Sequence, residues 1–119
     1  MRATTQICIS RSLKELAAVP LAETCSVSPT LAIGEVTGLR MEGERIHADL
    51  KGNAAADWIK ISPEGYGTLD VKATVETDDG AIIHMTYSGR MLFDTMTVYA
   101  APLYHTGDER YAWINRIQA

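Results

Sequence analysis

Three side chains in this 119-residue chain have types and positions that suggest chemistry: two aspartates and one histidine. Asp57 opens a segment in which it alternates with Ile59 and Ile61, so a β-strand there would place its carboxyl on an apolar face. Burial disfavours the charged form of a carboxyl and raises its pKa, which suits a general acid or base near neutral pH. Asp57 is therefore the first candidate catalytic residue. The alternative is that it caps the turn at 52–56.

Asp70 and His84 are the other two candidate catalytic residues. They lie in two segments that a tight turn at Asp79-Gly80 would join into a hairpin. A second carboxyl close to Asp57 would raise one pKa of the pair, and a histidine could carry protons. The alternatives are a solvated Asp70 beside Lys72 and an exposed strand histidine.

The length of the hairpin loop decides which side chains share a face. A two-residue loop would set Val75 opposite His84 and mix apolar with polar side chains on both faces. A three-residue loop, Asp78-Asp79-Gly80, sets Val75 opposite Ile83 and separates the faces, and it suits a type I turn followed by a left-handed glycine. The sequence therefore predicts the three-residue loop. The apolar face is then Leu69, Val71, Ala73, Val75, Ile83, Met85 and Tyr87, and the polar face is Asp70, Lys72, Thr74, Glu76, His84 and Thr86.

Two interpretations of this hairpin lead to different functions. In the first, the apolar face packs in the core and the polar face lies in water. In the second, the polar face lines a wet lumen that holds one small ligand, as eight-stranded barrels can. Aromatic side chains near the C-terminus would line that cavity or a subunit interface, or would pack in the core. Tyr104 and His105 are predicted to lie in a loop, where functional residues often occur. The predicted ligand-binding residues are Thr74, Tyr87, Tyr99, Tyr104 and Trp113.

Most segments alternate apolar and polar residues and are rich in Val, Ile, Thr and Tyr, which is typical of β-strands. Ser12 to Glu15 fits a capping box, which predicts one short helix that Pro20 would end. About eight strands with tight turns indicate a sandwich or a barrel, and the lack of a long helix to cover a sheet favours an all-β antiparallel β-barrel over residues 1–119. The predicted strands are Thr4–Ser10, Thr30–Val36, Arg45–Lys51, Asp57–Ser62, Gly67–Glu76, Ala81–Ser88, Met96–Ala100 and Tyr111–Ile117.

Composition and cysteine usage limit the classes of function. Lys plus Arg is 11 against 15 for Asp plus Glu, and a net charge of −4 argues against a nucleic-acid partner. No apolar run approaches the ~20 residues that span a bilayer, and the chain starts without an apolar signal core, so we expect a cytoplasmic protein with no membrane partner. Cys8 and Cys25 are expected to be reduced, buried thiols, although a disulfide between them is possible. The three histidines are scattered and no cofactor motif occurs, so neither a metal nor a cofactor is expected.

Five short motifs occur in a fixed order, and together they resemble one family. The motifs are Ala56-Asp57-Trp58, Leu69-Asp70, Thr77-Asp78-Asp79-Gly80-Ala81, Pro102-Leu103-Tyr104-His105-Thr106-Gly107 and Tyr111-Ala112-Trp113-Ile114-Asn115. The chain is similar to domain-of-unknown-function family 3237, also called UPF0311, over about Gly34 to Asn115. The resemblance implies a small calycin-like antiparallel barrel, usually oligomeric, and no settled reaction. The chain departs from the family before Gly34, at His105 where an acidic residue is expected, and after the last motif, so a partner subunit could supply missing strands.

These observations lead to three functional hypotheses. The first is a cofactor-independent, homo-oligomeric enzyme that moves protons on a small, mostly apolar molecule, by isomerisation, cyclisation, or addition and elimination of water. The second is a non-catalytic binder of lipophilic small molecules. The third is a purely structural, oligomerising domain with a filled core.

Overall fold

A computed structural model describes residues 3–9 and 15–118 of the chain. Within these ranges the chain forms ten β-strands followed by one 3-10 helix, Glu109–Arg116. The strands are β1 Ala3–Ile9, β2 Glu15–Ser28, β3 Leu31–Val36, β4 Arg40–Glu42, β5 His47–Leu50, β6 Ala56–Ile61, β7 Tyr66–Thr77, β8 Ile82–Leu92, β9 Thr97–Ala100 and β10 Leu103–His105.

The strands form one curled antiparallel sheet whose order in space follows the chain. Strands β3 and β4 together pair with β2 on one side and with β5 and β6 on the other. The pair β3 and β4 therefore acts as one interrupted strand, and so does the pair β5 and β6. Strand β7 pairs with β5 and β6 along one edge and with β8 along the other, and β8 then pairs with both β9 and β10. Strand β1 pairs with β2 and also contacts β9, at the other end of the sheet. The predicted all-β, barrel-like antiparallel architecture is confirmed.

The β7–β8 hairpin has the register that the three-residue loop predicts. Val75 lies opposite Ile83, Ala73 opposite Met85 and Val71 opposite Tyr87. Gly80 has a φ of 92°, the left-handed conformation that closes such a loop without a Cβ penalty. The turn therefore sets which side chains share a face.

The apolar face of this hairpin is the core, so the first interpretation is confirmed and the wet lumen is wrong. Val75 and Ile83 are fully buried and Met85 is 1% exposed. Removing apolar surface from water stabilises a fold by roughly 25 cal/mol per Å², and no polar alternative matches that gain. The polar face points outwards and is exposed or half-buried.

Three predictions about the remaining elements need correction. Tyr111–Ile117 belongs mainly to the 3-10 helix, which begins because the Asp108 carboxylate accepts a hydrogen bond from the backbone of Arg110 and which buries Ile114 completely. Tyr104 and His105 lie on β10 rather than in a loop. Cys25 is exposed, not buried.

The predicted short helix is also wrong for the part of it that the structure describes. Residues 11–14 lie outside the described ranges, and Glu15 onwards forms the strand β2. Pro20 does not interrupt this strand. It falls between the ladder to β4, which ends at Ala18, and the ladder to β3, which starts at Leu21, a position that tolerates a missing N–H.

Candidate functional site

Four neighbouring strands contribute one row of residues to the inner wall of the sheet. In register, Gly34 on β3 lies opposite Asp57 on β6, Asp57 opposite Val71 on β7, and Val71 opposite Tyr87 on β8. Gly34 adds no side chain to this row, and Val71 is apolar. The row therefore sets a carboxyl and a phenol on either side of a valine.

Asp57 is a buried carboxyl whose charge is compensated by few hydrogen bonds. It is 5% exposed, and the backbone N–H of Asp70 donates a hydrogen bond to its Oδ1 at 3.2 Å. Within the described part of the chain this is the one hydrogen bond to the carboxyl, and it comes from a neighbouring strand rather than from the 52–56 turn. Burial raises the pKa of Asp57 to about 6, opposed by the Asp70 N–H and helped by the negative charge of Asp70. The apolar-face placement predicted from the sequence is correct.

Tyr87 is the other polar residue of this inner row. It is 5% exposed, and its hydroxyl makes no hydrogen bond to any residue that the structure describes. Burial, and then the charge of Asp57, raises the pKa of the phenol. The hydroxyl therefore keeps its proton at neutral pH and can act as a hydrogen-bond donor.

Asp70, His84 and Thr74 do not converge on Asp57. The Asp70 side chain is 59% exposed on the outer face, with its Oδ1 3.6 Å from the Lys72 Nζ. The Nδ1 of His84, also on the outer face, lies 3.1 Å from the Thr74 Oγ1. The sheet separates these three side chains from the inner wall, so they share no site with Asp57.

The three C-terminal aromatic candidates are divided between inside and outside. Tyr99 is 64% exposed on β9 and does not line the interior. Tyr104, opposite Met85, is buried in the core. Trp113 is half-buried in the 3-10 helix, with the Arg45 guanidinium 3.5 Å above its ring centroid. Of the eight predicted site residues, Asp57, Tyr87 and Tyr104 lie in the core, and Trp113 packs against it.

A second polar cluster lies at the hairpin turn and has a different character. The Asp79 carboxylate accepts hydrogen bonds from the Tyr111 hydroxyl, at 2.9 Å to each oxygen, and from the Thr77 hydroxyl. These bonds, with the nearby charge of Arg110, hold the pKa of Asp79 below its usual range. On the other side of the turn, Arg40 forms two hydrogen bonds with Asp78. Asp78 and Asp79 thus anchor the turn and the 3-10 helix.

The described surface has grooves but no grouped set of metal ligands. Among the described residues, no three or more His, Cys, Asp or Glu side chains are grouped to hold a metal ion. No helix of the described chain is long and apolar enough to cross a bilayer. A shallow groove of about 290 Å³ lies on the outer side of the sheet, behind the Asp57 wall. It is lined by Asp70, Lys72, Thr86, Tyr87, Ser88, Ala101, Leu103 and Gln118.

Comparison with known proteins agrees with this architecture. The sequence model of a family described as "Protein of unknown function (DUF3237)" matches residues 15–119. The chain belongs to the DUF3237 family. The match extends the expected resemblance, which began at Gly34, back to β2. No curated protein matches the chain.

Solved structures with the same fold include proteins from three bacteria. A conserved protein of unknown function from Rhodopseudomonas palustris is 21% identical, with a TM-score of 0.75 over 99% of this chain and 85% of that one. A β-barrel-like protein from Acinetobacter baumannii is also 21% identical, with a TM-score of 0.73 over 99% and 84%. A protein of unknown function from Clostridium acetobutylicum is 12% identical, with a TM-score of 0.72 over 99% and 85%. At these identities the likeness shows the DUF3237 fold, not a reaction.

Sequence reasoning missed one arrangement on the outer face. His84 and His105 are cross-strand partners, because β10 pairs with the free edge of β8. The two residues are far apart in the chain, and β10 was not among the predicted strands. Only a prediction of that three-residue strand and its register could have found the pair.

Proposed function

We propose that this DUF3237 protein transfers a proton on a small, mostly apolar organic molecule, with Asp57 as the acid and base and Tyr87 as a hydrogen-bond donor. The observation that carries the proposal is the Asp57 carboxyl itself, which is 5% exposed on an apolar wall with a single donor among the described residues. Such a group lowers the stability of a fold. A function would explain why the group is retained at that cost.

The proposed chemistry needs only these two side chains. The Asp57 carboxylate removes a proton from a carbon next to a substrate carbonyl, and the C–H electron pair moves into the carbonyl to give an enolate. The enolate oxygen accepts a hydrogen bond from the Tyr87 hydroxyl. Asp57 then returns the proton to a different carbon, so the net reaction is an isomerisation with no oxidant or reductant.

The surroundings of Asp57 support an apolar substrate. Its inner-wall neighbours Ile59, Leu69 and Val71 are buried aliphatic side chains. Charges interact more strongly in such surroundings than in water, which would favour proton transfer and stabilise the enolate. A base with a pKa near 6 is ionised at neutral pH and remains strong enough to take a proton.

The test follows hydrogen–deuterium exchange by NMR in a panel of β,γ-unsaturated ketones in D₂O. We expect the protein to speed exchange at the carbon between the two unsaturated groups, and Asp57→Asn to remove that effect. Tyr87→Phe should slow it by roughly 10²-fold, the scale of one lost oxyanion donor. Asp94→Asn is the matched control and should keep the rate, because Asp94 is exposed in the turn between β8 and β9.

Two results would count against the enzyme. Exchange that is unchanged in Asp57→Asn would exclude Asp57 as the base. Ketone binding without exchange, retained in Asp57→Asn, would favour the non-catalytic binder of lipophilic molecules. A ¹³C titration of the Asp57 carboxyl provides an independent check, because a pKa near 4 would remove the basis of the proposal.

A further inference from the structure

We propose that His84 and His105 bind a divalent transition-metal ion, such as Ni²⁺ or Zn²⁺, on the outer face of the β8–β10 pair. The site is separate from Asp57, since the two histidines lie on the opposite side of the sheet. The proposal does not depend on the proton-transfer function.

The first argument is the register of the two strands. His105 lies directly opposite His84, and both side chains are exposed. The preceding pair, Tyr104 and Met85, is buried, so alternation along the strands turns both imidazoles outwards. Directly opposed residues have Cβ atoms roughly 5 Å apart, a spacing that lets two imidazoles reach one ion.

The second argument is the hydrogen bond to Thr74. Thr74 lies opposite His84 on β7, so Thr74, His84 and His105 form one row across three strands. The His84 Nδ1 and the Thr74 Oγ1 are 3.1 Å apart. When Nδ1–H donates to Thr74, the lone pair of His84 lies on Nε2 and is free to bind a metal. Metal-binding histidines commonly use their second nitrogen in this way, which makes Thr74 a positioning residue.

The ligand set selects the class of metal. Imidazole nitrogens suit Zn²⁺, Cu²⁺ and Ni²⁺, whereas Ca²⁺ and Mg²⁺ prefer oxygen ligands. The described chain places no third His, Cys, Asp or Glu in a metal-holding group with this pair. Water would complete the coordination, so we infer an exchangeable two-histidine site rather than a structural metal centre.

The test is isothermal titration calorimetry of untagged protein with Ni²⁺. We expect one Ni²⁺ per chain, and a binding constant more than about tenfold weaker in His84→Gln and in His105→Gln. Thr74→Val should weaken binding by roughly tenfold while leaving both ligands present. In ¹H NMR, Zn²⁺ should shift the ring protons of His84 and His105 together, whereas Mg²⁺ should shift neither.

His47→Gln is the matched control, because His47 is also an exposed strand histidine and lies 4.0 Å from a Glu42 oxygen. All variants carry Cys25→Ser, so that the exposed thiol does not contribute. Binding that survives His105→Gln, or that His47→Gln weakens equally, would overturn the proposal. So would the absence of Ni²⁺ binding to the parent protein. Unchanged melting temperatures without metal would show that the variants remain folded.

Discussion

Asp57 and Asp79 are two aspartates whose surroundings in this fold are opposite in burial and in hydrogen bonding. Asp79 is half exposed and accepts hydrogen bonds from two hydroxyls, with Arg110 nearby, and its pKa is lowered. Asp57 is buried, accepts one backbone hydrogen bond within the described chain, and has a raised pKa. A carboxylate whose charge is well compensated fixes a turn. One whose charge is poorly compensated destabilises the wall that holds it, and so it is the better candidate for chemistry.

The largest expected effect tests which face of the β7–β8 hairpin packs in the core. Ile83→Ala should lower the free energy of unfolding by about 2–4 kcal/mol, because it leaves a cavity in packed surroundings. Ile82→Ala is the matched control at the adjacent position, since Ile82 is 43% exposed while Ile83 is fully buried. Urea denaturation measures both. Equal losses for the two variants would contradict the inward apolar face.

The next effect concerns the pH dependence that Asp57 imposes on stability. The raised pKa means that the folded state holds its proton in the window between about pH 4 and pH 6 where the unfolded state has lost it. Stability from this group therefore falls as pH rises through that window and stays low above it. As pH rises from about 4 to 7, the free energy of unfolding of Asp57→Asn should increase by about 2–3 kcal/mol relative to that of the parent. Urea denaturation at several pH values checks this, with the exposed Asp94→Asn as the control.

Asp79 should show a smaller effect with the opposite sign. Its lowered pKa contributes stability above the pKa of the unfolded chain, and that contribution is lost as pH falls through the folded value. Asp79→Asn should lower the melting temperature at neutral pH, with the difference from the parent shrinking in acid. Thermal denaturation at neutral and acidic pH measures it. A pH-independent difference would show that Asp79 acts through its shape rather than its charge.

The sequence was sufficient to predict the part of the fold that a single buried face determines. The β7–β8 register follows from separating apolar from polar side chains, and the left-handed Gly80 fits the same loop. The strand from Glu15 to Ser28 was missed because the sequence Ser12 to Glu15 fits a capping box and so predicted a helix from there. Tyr111 and Trp113 alternate like strand residues, but the Asp108 cap and the Asn115 hydrogen bonds to the Thr106 backbone favour the 3-10 helix.

The candidate site was predictable for Asp57 and not for its surroundings. The alternation of Asp57 with Ile59 correctly placed the carboxyl on an apolar face. One hypothesis placed Asp70 across a lumen from Asp57, and its alternative, a solvated Asp70 beside Lys72, is the position observed. Asp57 in fact pairs with Val71, and one step along a strand moves a side chain to the opposite face. The pairing of β10 with β8 depends on contacts far apart in the chain, so neither Tyr104 nor the histidine pair could be placed.

The neighbour-to-neighbour order of the strands also has a kinetic consequence. Because each strand or interrupted strand pairs with the next along the chain, hairpins can form one after another with short loops to close. The contact between β1 and β9 is different, since it encloses most of the chain and costs the most loop entropy. We therefore expect the contact between β1 and β9 to form last during folding and to break first during unfolding, while β1 stays paired with β2.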